Sequence, residues 1–314
     1  MSFSLQLAHD KLEELHKLAP FLSASSRLST FKKFTFNRKR DATCTSHTLS
    51  RAGWISTASR DSRNSAKCPF CLLELIFDHN DDPWLEHTKR SPGCEFVRLD
   101  KLVDSLWTLR ETVVLAIRCA TNEKFEEIQK IIRNFEQFDD SEDVSEKPIS
   151  REDSEKLLEF RDASMYLTYA RRLESFEKFE YDKTKGAKCT SKKLAQAGWY
   201  LPKSSSEDSE LSNAFAKCPF CLLELEFEAT DDPWEEHKKH GPTCDFVRLG
   251  KLDEKLWSMD EALHLAARMA TMKKFETGLW LVDELEVLKK HDDVSELMNM
   301  FMPRTTKRTS IGAL

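Results

Sequence analysis

The most constraining feature of this sequence is a pattern of cysteine and histidine that occurs twice. Cys-x2-Cys-x15-His-x6-Cys spans residues 68–94 and again residues 218–244. Three thiolates and one imidazole are a ligand set that zinc takes in tetrahedral sites, and a Cys-x-x-Cys turn brings two thiolates to one metal. The sequence therefore predicts two zinc ions, held by the following residues: Cys68, Cys71, His87 and Cys94, and Cys218, Cys221, His237 and Cys244.

These residues admit two other interpretations. A redox-active Cys-x-x-Cys pair does not need a histidine and a third cysteine downstream, and any single cysteine could simply be buried. Identical spacing in two copies favours metal over both alternatives. Because four protein ligands complete a tetrahedron, no position is left for a reactive water, and each zinc is expected to be structural. Cys44, Cys119 and Cys189 lie outside the pattern and are expected to be small buried residues.

The sequence around the pattern is duplicated. Residues 66–102 align without a gap on residues 216–252, with 26 identities in 37 positions and an offset of 150. Upstream, from Arg27 to Trp54, the offset is 145, so the second copy has five additional residues within the polar stretch PKSSSEDSELSNAF. A polar insertion between shared elements predicts a longer loop. Two copies at this long period indicate duplicated domains, which fits a length of 314 residues.

Charge and apolar periodicity predict how the chain is divided. The acidic stretch 139–156 predicts a solvated linker between a first domain, 1–138, and a second, 157–302. Residues 303–314 predict a flexible basic tail. Each domain ends in a long helical pattern, which in the second extends from about Met259 to Met300. A further amphipathic helix is predicted at the start of the chain, with these apolar residues on one face: Leu5, Ala8, Leu12 and Leu15.

Composition argues against several classes of protein. The net charge of −6 argues against broad binding to a nucleic-acid backbone, so no direct nucleic-acid partner is expected. No apolar run approaches the roughly 18 residues of a membrane span, and charged residues interrupt the start of the chain where a signal peptide is apolar. We therefore expect an intracellular protein. The sequence has no Gly-rich phosphate loop, nucleophile elbow or HExxH motif, so we expect no catalytic activity.

The zinc pattern and its surroundings resemble the baculoviral IAP repeat (BIR) family. The resemblance rests on Arg27-Leu28 with Phe31, on Ala52-Gly53-Trp54, on Asp81-Asp82-Pro83-Trp84 before His87, and on the same motifs in the second copy. One departure is a separation of 15 residues between cysteine and histidine where many members have sixteen. The resemblance implies an α+β fold: two small zinc-binding domains, each a short three-stranded antiparallel sheet with surrounding helices and a long C-terminal helix.

The resemblance also implies a groove that recognises a free N-terminal Ala of a partner protein. Matching positions in the second copy are Glu226, Phe227, Asp231 and His240, with the two carboxylates holding the amine and Phe227 forming an aromatic wall. Matching positions in the first copy are Ile76, Phe77, Asp81 and Arg90, so one carboxylate is replaced and the second copy is the better candidate. The alternative is that these residues are solvated loop acids and packed aromatics.

Two branches of the family give two functional hypotheses. Inhibitors of apoptosis bind caspases or their antagonists, and many carry a RING domain, whose cysteines are not found after Cys244. Survivin-like members act in chromosome segregation and cytokinesis, in the cytoplasm and on chromosomes. Their repeat reads a phosphorylated histone tail and their long helix binds partner helices. The second branch is our first hypothesis, although Leu73 and Leu223 stand where its phosphate readers have Lys. The long helix could instead pack on its own repeat.

Overall fold

The computed structural model describes residues 13, 17, 19–136, 150–177, 179–202 and 214–288. The four apolar residues that predict the first helix lie outside these ranges, as do residues 289–302 and the tail 303–314; they are Leu5, Ala8, Leu12 and Leu15. The chain forms two compact units, one containing residues up to Glu123 and the described residues from Thr277 on, the other containing Lys124–Glu276. No helix in the described part is long and apolar enough to cross a membrane.

The first repeat is built from short helices around a small sheet. Its elements are α1 (Ala24–Ser29), α2 (Ser46–Arg51), β1 (Ile55–Ser56), β2 (Ser65–Lys67), β3 (Glu74–Ile76), α3 (Pro83–Arg90), α4 (Glu95–Leu99) and α5 (Leu109–Glu136). The strands are antiparallel in the order β1-β2-β3, and Ala66 at the centre pairs with Ser56 and Leu75. This is the three-stranded sheet that the sequence predicts.

The described part of the second repeat has the same order of elements, with one additional helix at its start and one strand fewer. They are α6 (Arg151–Ala163), α7 (Tyr169–Ser175), α8 (Ser191–Gln196), β4 (Phe215–Lys217), β5 (Glu224–Glu226), α9 (Pro233–His240), α10 (Asp245–Leu249) and α11 (Met259–Leu288). Helix α6 begins within the stretch predicted as linker, because the Ser150 side chain caps it by accepting the Asp153 N–H at 3.0 Å. The rest of that stretch, 139–149, lies outside the described residues, and the linker stays a prediction.

The second sheet differs from the prediction of three strands. In its described part it has two antiparallel strands, and the third is reduced to a bridge between Tyr200 and Lys217. In the first repeat, the Thr57 N–H extends the ladder by donating to the Ser65 carbonyl at 3.1 Å. The position that matches Thr57 is Pro202, which has no N–H to donate. The third strand therefore ends earlier in the second copy.

Buried aromatic rings and one buried arginine form the core of each repeat. Arg27 is fully buried; its guanidinium donates to the Ser50 and Leu22 carbonyls at 2.8 and 2.6 Å and lies 5.2 Å from the Phe96 ring centroid. Burial lowers the pKa of Arg27, and Asp104 at 3.4 Å opposes that shift. Arg172 makes the matching contacts in the second repeat, with the Ala195 and Leu167 carbonyls and Glu254. The Arg-Leu motif is therefore structural.

The long helices pack on their own zinc-binding regions. In the first unit, the Asn122 side chain on α5 donates to the Pro69 carbonyl at 2.8 Å, between the first two cysteines of the pattern. In the second unit, Arg268 on α11 donates to the Phe220 carbonyl at 3.1 Å and lies 3.6 Å from Asp245. These contacts agree with the interpretation in which each helix packs on its own repeat.

The second unit also contains the end of α5. Ile128 and Ile131 are buried in a cluster with Phe160 of α6 and with Ala267 and Ala270 of α11. Gln129 donates to Asp260 at 3.0 Å in the same region. The sequence does not show what covers the apolar surface of these helices. In the structure, part of that surface is covered by other residues of the same chain.

Candidate metal centres and peptide groove

Each set of four predicted zinc ligands comes together in one place. The ligand atoms within each set all lie within 4.8 Å of one another. The Sγ atoms of Cys68 and Cys94 are 4.0 Å apart, and the Cys71 Sγ lies 3.6 Å from the His87 Nε2. Zn–S bonds of about 2.3 Å and a Zn–N bond of about 2.0 Å give tetrahedron edges of about 3.8 Å and 3.5 Å. The first set therefore has the dimensions of a tetrahedral zinc site.

The second set has nearly the same dimensions. The Sγ atoms of Cys218 and Cys244 are 3.9 Å apart, and the Cys221 Sγ lies 3.8 Å from the His237 Nε2. In both sets three ligands are buried and the second cysteine is partly exposed. Both groups could hold a metal ion, and their donor atoms fit zinc.

A tight turn positions the first two cysteines of each set. The Cys68 N–H donates to the Leu73 carbonyl and the Leu72 N–H donates to the Cys68 carbonyl, both at 2.9 Å. This turn places Leu72 in the left-handed region, with a φ of 61°, and Leu222 has the same value in the second repeat. Left-handed backbone costs a residue with a side chain roughly 1–2 kcal/mol, so the turn needs support from the metal and the core.

Two short helices supply the other ligands. Helix α3 carries His87 and begins at Pro83. Its N-cap is Asp82, whose carboxylate accepts the N–H groups of Trp84 and Leu85 at 2.9 and 3.1 Å. The Asp-Pro-Trp sequence shared by both copies therefore forms the N-cap and first residues of a helix. Cys94 lies immediately before α4, at its N-cap. Helix α9 is capped in the same way, by Asp232.

Each histidine is oriented by a backbone carbonyl. The Nδ1 of His87 lies 2.8 Å from the Ala52 carbonyl oxygen, and that of His237 lies 2.8 Å from the Ala197 oxygen. A carbonyl can only accept, so Nδ1 carries the proton and Nε2 faces the cysteines as the metal ligand. Sequence reasoning missed this role, because a backbone carbonyl leaves no signature in residue type.

The glycine after each of these alanines is required by close packing. Gly53 has a φ of +90°, and a Cβ built on it would lie 2.8 Å from the Phe96 ring. Gly198 has the same φ and would meet the Phe246 ring at the same distance. The following tryptophans are fully buried and their Nε1 atoms donate to the Pro83 and Pro233 carbonyls at 3.0 Å. The Ala-Gly-Trp motif thus fixes the metal-binding helix against the core.

The thiols of each set differ in their affinity for protons. Burial raises the pKa of Cys68, while hydrogen bonds from the Cys68 and Cys94 thiols lower the pKa of Cys71. In the second repeat burial raises the pKa of Cys218, and hydrogen bonds from Cys218 and Cys244 lower that of Cys221. The negative charge of each group therefore concentrates on its second cysteine, and a bound cation favours loss of the remaining thiol protons.

The predicted groove of the second repeat lies along β5. Glu226 is exposed at the end of this strand, which pairs on one side with β4. Asp231 lies in the following loop, where its Oδ2 accepts the Glu228 N–H at 2.7 Å. His240 is the last residue of α9, and its Nε2 is 3.2 Å from the Glu236 carboxylate. Glu226 and His240 are exposed, and Asp231 is half-buried.

The predicted aromatic wall does not fit the structure. Phe227 is only 2% exposed and packs edge-to-face on the Trp199 ring, with centroids 5.1 Å apart. Phe77 in the first repeat is 1% exposed and packs on Trp54 at 5.0 Å. Alternation along a strand explains this, since Leu225 and Phe227 point to the opposite face from Glu224 and Glu226. These two phenylalanines are core residues, as the alternative interpretation held.

The first repeat presents a different surface at the matching positions. Ile76 replaces Glu226 and is 73% exposed. Asp81 is held as in the second repeat, with its Oδ2 accepting the Asp78 N–H at 2.7 Å. Arg90 forms an ion pair with Glu86 at 2.7 Å. The edge of the first sheet is therefore apolar where that of the second is acidic.

Comparison with known proteins agrees with this geometry. The model of the BIR family, described as Inhibitor of Apoptosis domain, matches residues 27–98 and 172–248. The chain is 44% identical over 303 residues to Baculoviral IAP repeat-containing protein bir-2 of Caenorhabditis elegans, and the alignment covers 96% of each protein.

Shorter relatives match one repeat-sized stretch. Chromosomal passenger complex protein bir-1 of C. elegans is 42% identical over 125 residues, 40% of this chain and 78% of that protein. Baculoviral IAP repeat-containing protein 5.2 of Xenopus tropicalis is 35% identical over 113 residues, 36% of this chain and 70% of that protein. With two matching repeats, two metal-ligand groups of one geometry and a relative similar over nearly its whole length, the chain belongs to the BIR family.

Proposed function

We propose that this protein is a non-enzymatic adaptor whose two zinc-stabilised domains present binding surfaces, and that the second domain recognises the N-terminus of a partner. The absence of enzymatic activity is proposed because both metal groups supply four protein ligands, which fill a tetrahedral zinc. Zinc in such a site stabilises the fold and has no open position for a substrate.

The observation that carries peptide recognition is the free edge of β5. Along this strand, the Leu223 carbonyl accepts from Cys218 and the Phe227 N–H donates to Ala214. In an antiparallel pair, alternate residues direct their backbone groups to the partner strand. The backbone groups of Glu224 and Glu226 therefore face away from β4. Among the described residues no strand pairs with that side, so an extended peptide can add there.

Acidic side chains give this edge a preference for a positively charged terminus. Glu224 and Glu226 are exposed on one face of β5, and Asp231 follows in the next loop. A free α-amino group is cationic at neutral pH, and carboxylates bind such groups through charge-assisted hydrogen bonds. We propose that Glu226 and Asp231 hold the amine of an Ala-first peptide. Because Phe227 is buried, the methyl pocket is formed without it.

Chromosome segregation and cytokinesis are the proposed process. The proposal is supported by similarity to a protein named Chromosomal passenger complex protein bir-1, over most of that relative's length. The same proposal places the protein in the cytoplasm and on chromosomes, with an Ala-first histone tail as the peptide. The proposal also includes partner helices that bind the long C-terminal helix α11.

Calorimetric titration of the full zinc-loaded chain tests peptide recognition. The ligands are an Ala-first histone-tail peptide, phosphorylated and unphosphorylated, and the same peptides with an acetylated N-terminus as matched controls. We expect the unphosphorylated peptide to bind only with a free amine, and this binding to be weakened about tenfold in Glu226→Gln and in Asp231→Asn. Equal binding of the acetylated and free unphosphorylated peptides would show that the amine is not recognised and would contradict the groove proposal.

Inhibition of apoptosis is the second candidate function, favoured by the family description Inhibitor of Apoptosis domain. In this case the ligand is a caspase or a caspase antagonist with an Ala-Val-Pro terminus. An Ala-Val-Pro peptide added to the same titration distinguishes the two. Tighter binding of Ala-Val-Pro than of the histone peptide favours the apoptotic function, and the reverse order favours the mitotic one.

A further inference from the structure

The first repeat contains a basic cavity that lies outside the metal group and the groove. Its volume is about 400 Å³, within the range of small-ligand pockets. It lies between the turn that follows α1 and the chain that follows β1. The polar and charged residues that matter for its chemistry are Lys32, Lys33, Thr35, Arg38, Ser56 and Arg63.

Among the described residues that line this cavity, no acidic side chain neutralises its positive charge. Lys32, Lys33, Arg38 and Arg63 are all exposed, and none forms an ion pair with a residue in the described part of the chain. Four unpaired cations around one concavity repel one another, and a bound anion would relieve that repulsion.

The framework of the cavity is rigid and offers hydroxyl donors. Phe31 and Phe34 are buried and pack edge-to-face with centroids 5.5 Å apart, fixing the segment that carries both lysines. The Ser56 N–H donates to the Thr30 hydroxyl at 2.8 Å, which ties the strand side to α1. The Ser56 Oγ accepts the Ala58 N–H at 3.3 Å, so its own hydroxyl hydrogen is directed elsewhere and is available to a ligand.

The second repeat shows that the fold does not require this chemistry. At the positions of Lys32 and Thr35 it has Glu177 and Glu180, both exposed, and at the position of Ser56 it has Leu201. The buried pair Phe31 and Phe34 is kept as Phe176 and Phe179, with centroids 5.7 Å apart. The scaffold is shared, but at these three positions the second copy replaces a cation and two hydroxyls with two carboxylates and an apolar side chain.

We propose that this cavity binds a phosphate monoester dianion. Lysine, arginine and hydroxyl donors are the groups that recognise such an anion. A dianion is attracted to several cations more strongly than a singly charged carboxylate is. A polynucleotide is disfavoured because the cations are gathered around one concavity and do not form an extended stripe, on a chain of net charge −6. The site is separate from β5 and does not depend on amine recognition.

Titration of the full zinc-loaded chain with a blocked peptide, acetyl-Ala-Ala-phosphoSer-Ala-Ala-amide, tests the proposal. The acetyl group keeps this probe from acting as a free amine. Matched arms use the unphosphorylated peptide, inorganic phosphate and an eight-nucleotide oligothymidylate. The test variant is Lys32→Glu/Arg63→Glu. The control is Arg51→Glu/Lys130→Glu, which changes net charge equally at two exposed positions outside the cavity.

We expect the phosphopeptide to bind, the unphosphorylated peptide not to bind, and the cavity variant to bind at least about tenfold more weakly. The control variant should bind within about twofold of the native chain, because distant surface charges act weakly at physiological salt. If inorganic phosphate also binds, and binds more weakly to Lys32→Glu/Arg63→Glu, the site recognises free phosphate as well as a phosphate monoester.

Equal weakening in the cavity and control variants, or absence of phosphopeptide binding, would overturn the proposal, as would preferential binding of the oligothymidylate. Zinc content and circular dichroism confirm that the variants are folded. If Lys32→Glu/Arg63→Glu is not, Thr35→Glu introduces the exposed second-repeat residue and makes the same prediction. Because every arm lacks a free amine, failure here leaves the groove proposal unaffected.

Discussion

Each repeat has its own group of four metal ligands, the two groups have the same geometry, and the residues around them differ. The Sγ–Sγ distances between first and third cysteines are 4.0 and 3.9 Å, and both histidines lie 2.8 Å from the matching alanine carbonyl. By contrast, Ile76 of the first repeat corresponds to Glu226 of the second, and Lys32 corresponds to Glu177. The duplicated interior is constrained by ligand geometry and ring packing, whereas the surfaces of the two repeats differ in charge and polarity.

The largest effect is expected from loss of a metal ligand. Cys68→Ser and Cys218→Ser should each remove one zinc ion and unfold their own repeat, since a structural zinc contributes on the order of 10 kcal/mol to folding. Zinc analysis and circular dichroism of the purified chains measure both. Retention of two ions in either variant would contradict the assignment of that ligand.

A smaller effect is expected at the glycine that packs on a phenylalanine ring. Gly53→Ala and Gly198→Ala should each lower the free energy of unfolding by about 3 kcal/mol, through a positive φ and overpacking against the ring. Gly186→Ala is the matched control, because it has a φ of +83° and open space around its Cβ position, and should cost about 1 kcal/mol. Urea unfolding measures all three. If all three variants lose the same free energy of unfolding, the positive φ explains the whole effect and contact with the ring contributes nothing.

Exchange of the edge residues tests whether the difference between the sheets determines peptide binding. Glu226→Ile should weaken binding of an Ala-first peptide about tenfold, and Ile76→Glu should create or strengthen binding at the first repeat. Calorimetry of each variant with free and acetylated peptides gives affinity and stoichiometry. A stoichiometry of one in Ile76→Glu would indicate that features other than the edge carboxylate exclude peptide from the first repeat.

The smallest effect is expected at the truncated third strand. Pro202→Thr restores an N–H opposite Phe215, at the position where Thr57 donates to Ser65 in the first repeat. The new hydrogen bond is worth about 1 kcal/mol, partly offset by the greater freedom of the unfolded chain, so a net gain of about 0.5 kcal/mol is expected. Urea unfolding measures the gain. If hydrogen exchange finds the new amide of the variant unprotected, Pro202 is not what ends the strand.

Ligand spacing was enough to predict both metal groups, and the resemblance to the BIR family implied the α+β class and the first three-stranded sheet. The same resemblance implied that the chain binds peptide through its second repeat, which stays a proposal. The aromatic wall assigned to Phe227 does not fit, because alternation along the strand turns this side chain into the core. The shortened second sheet is explained by Pro202 once the structure shows that the matching Thr57 N–H donates to Ser65.

Other features could not be read from residue types. The histidine acceptor is a carbonyl of Ala52, and every residue carries a carbonyl. The basic cavity joins Lys32 with Arg63, which lie 31 residues apart and meet only because β1 returns beside the turn after α1. The packing of Ile128 with Phe160 likewise depends on tertiary structure, since both lie on helices whose apolar faces could have met other surfaces.

The compact span of each ligand set has a consequence for synthesis of the chain on the ribosome. Both copies contain the run AKCPFCLLEL, so thiols from different repeats could be recruited to one ion and trap a misfolded chain. The first four ligands lie within residues 68–94, and Cys218 follows 124 residues after Cys94. Since nascent chains emerge and fold from the N-terminus, the first ion can be enclosed before the second set of ligands exists. The order of translation thereby favours two correctly formed sites over a site in which ligands from both repeats bind one ion.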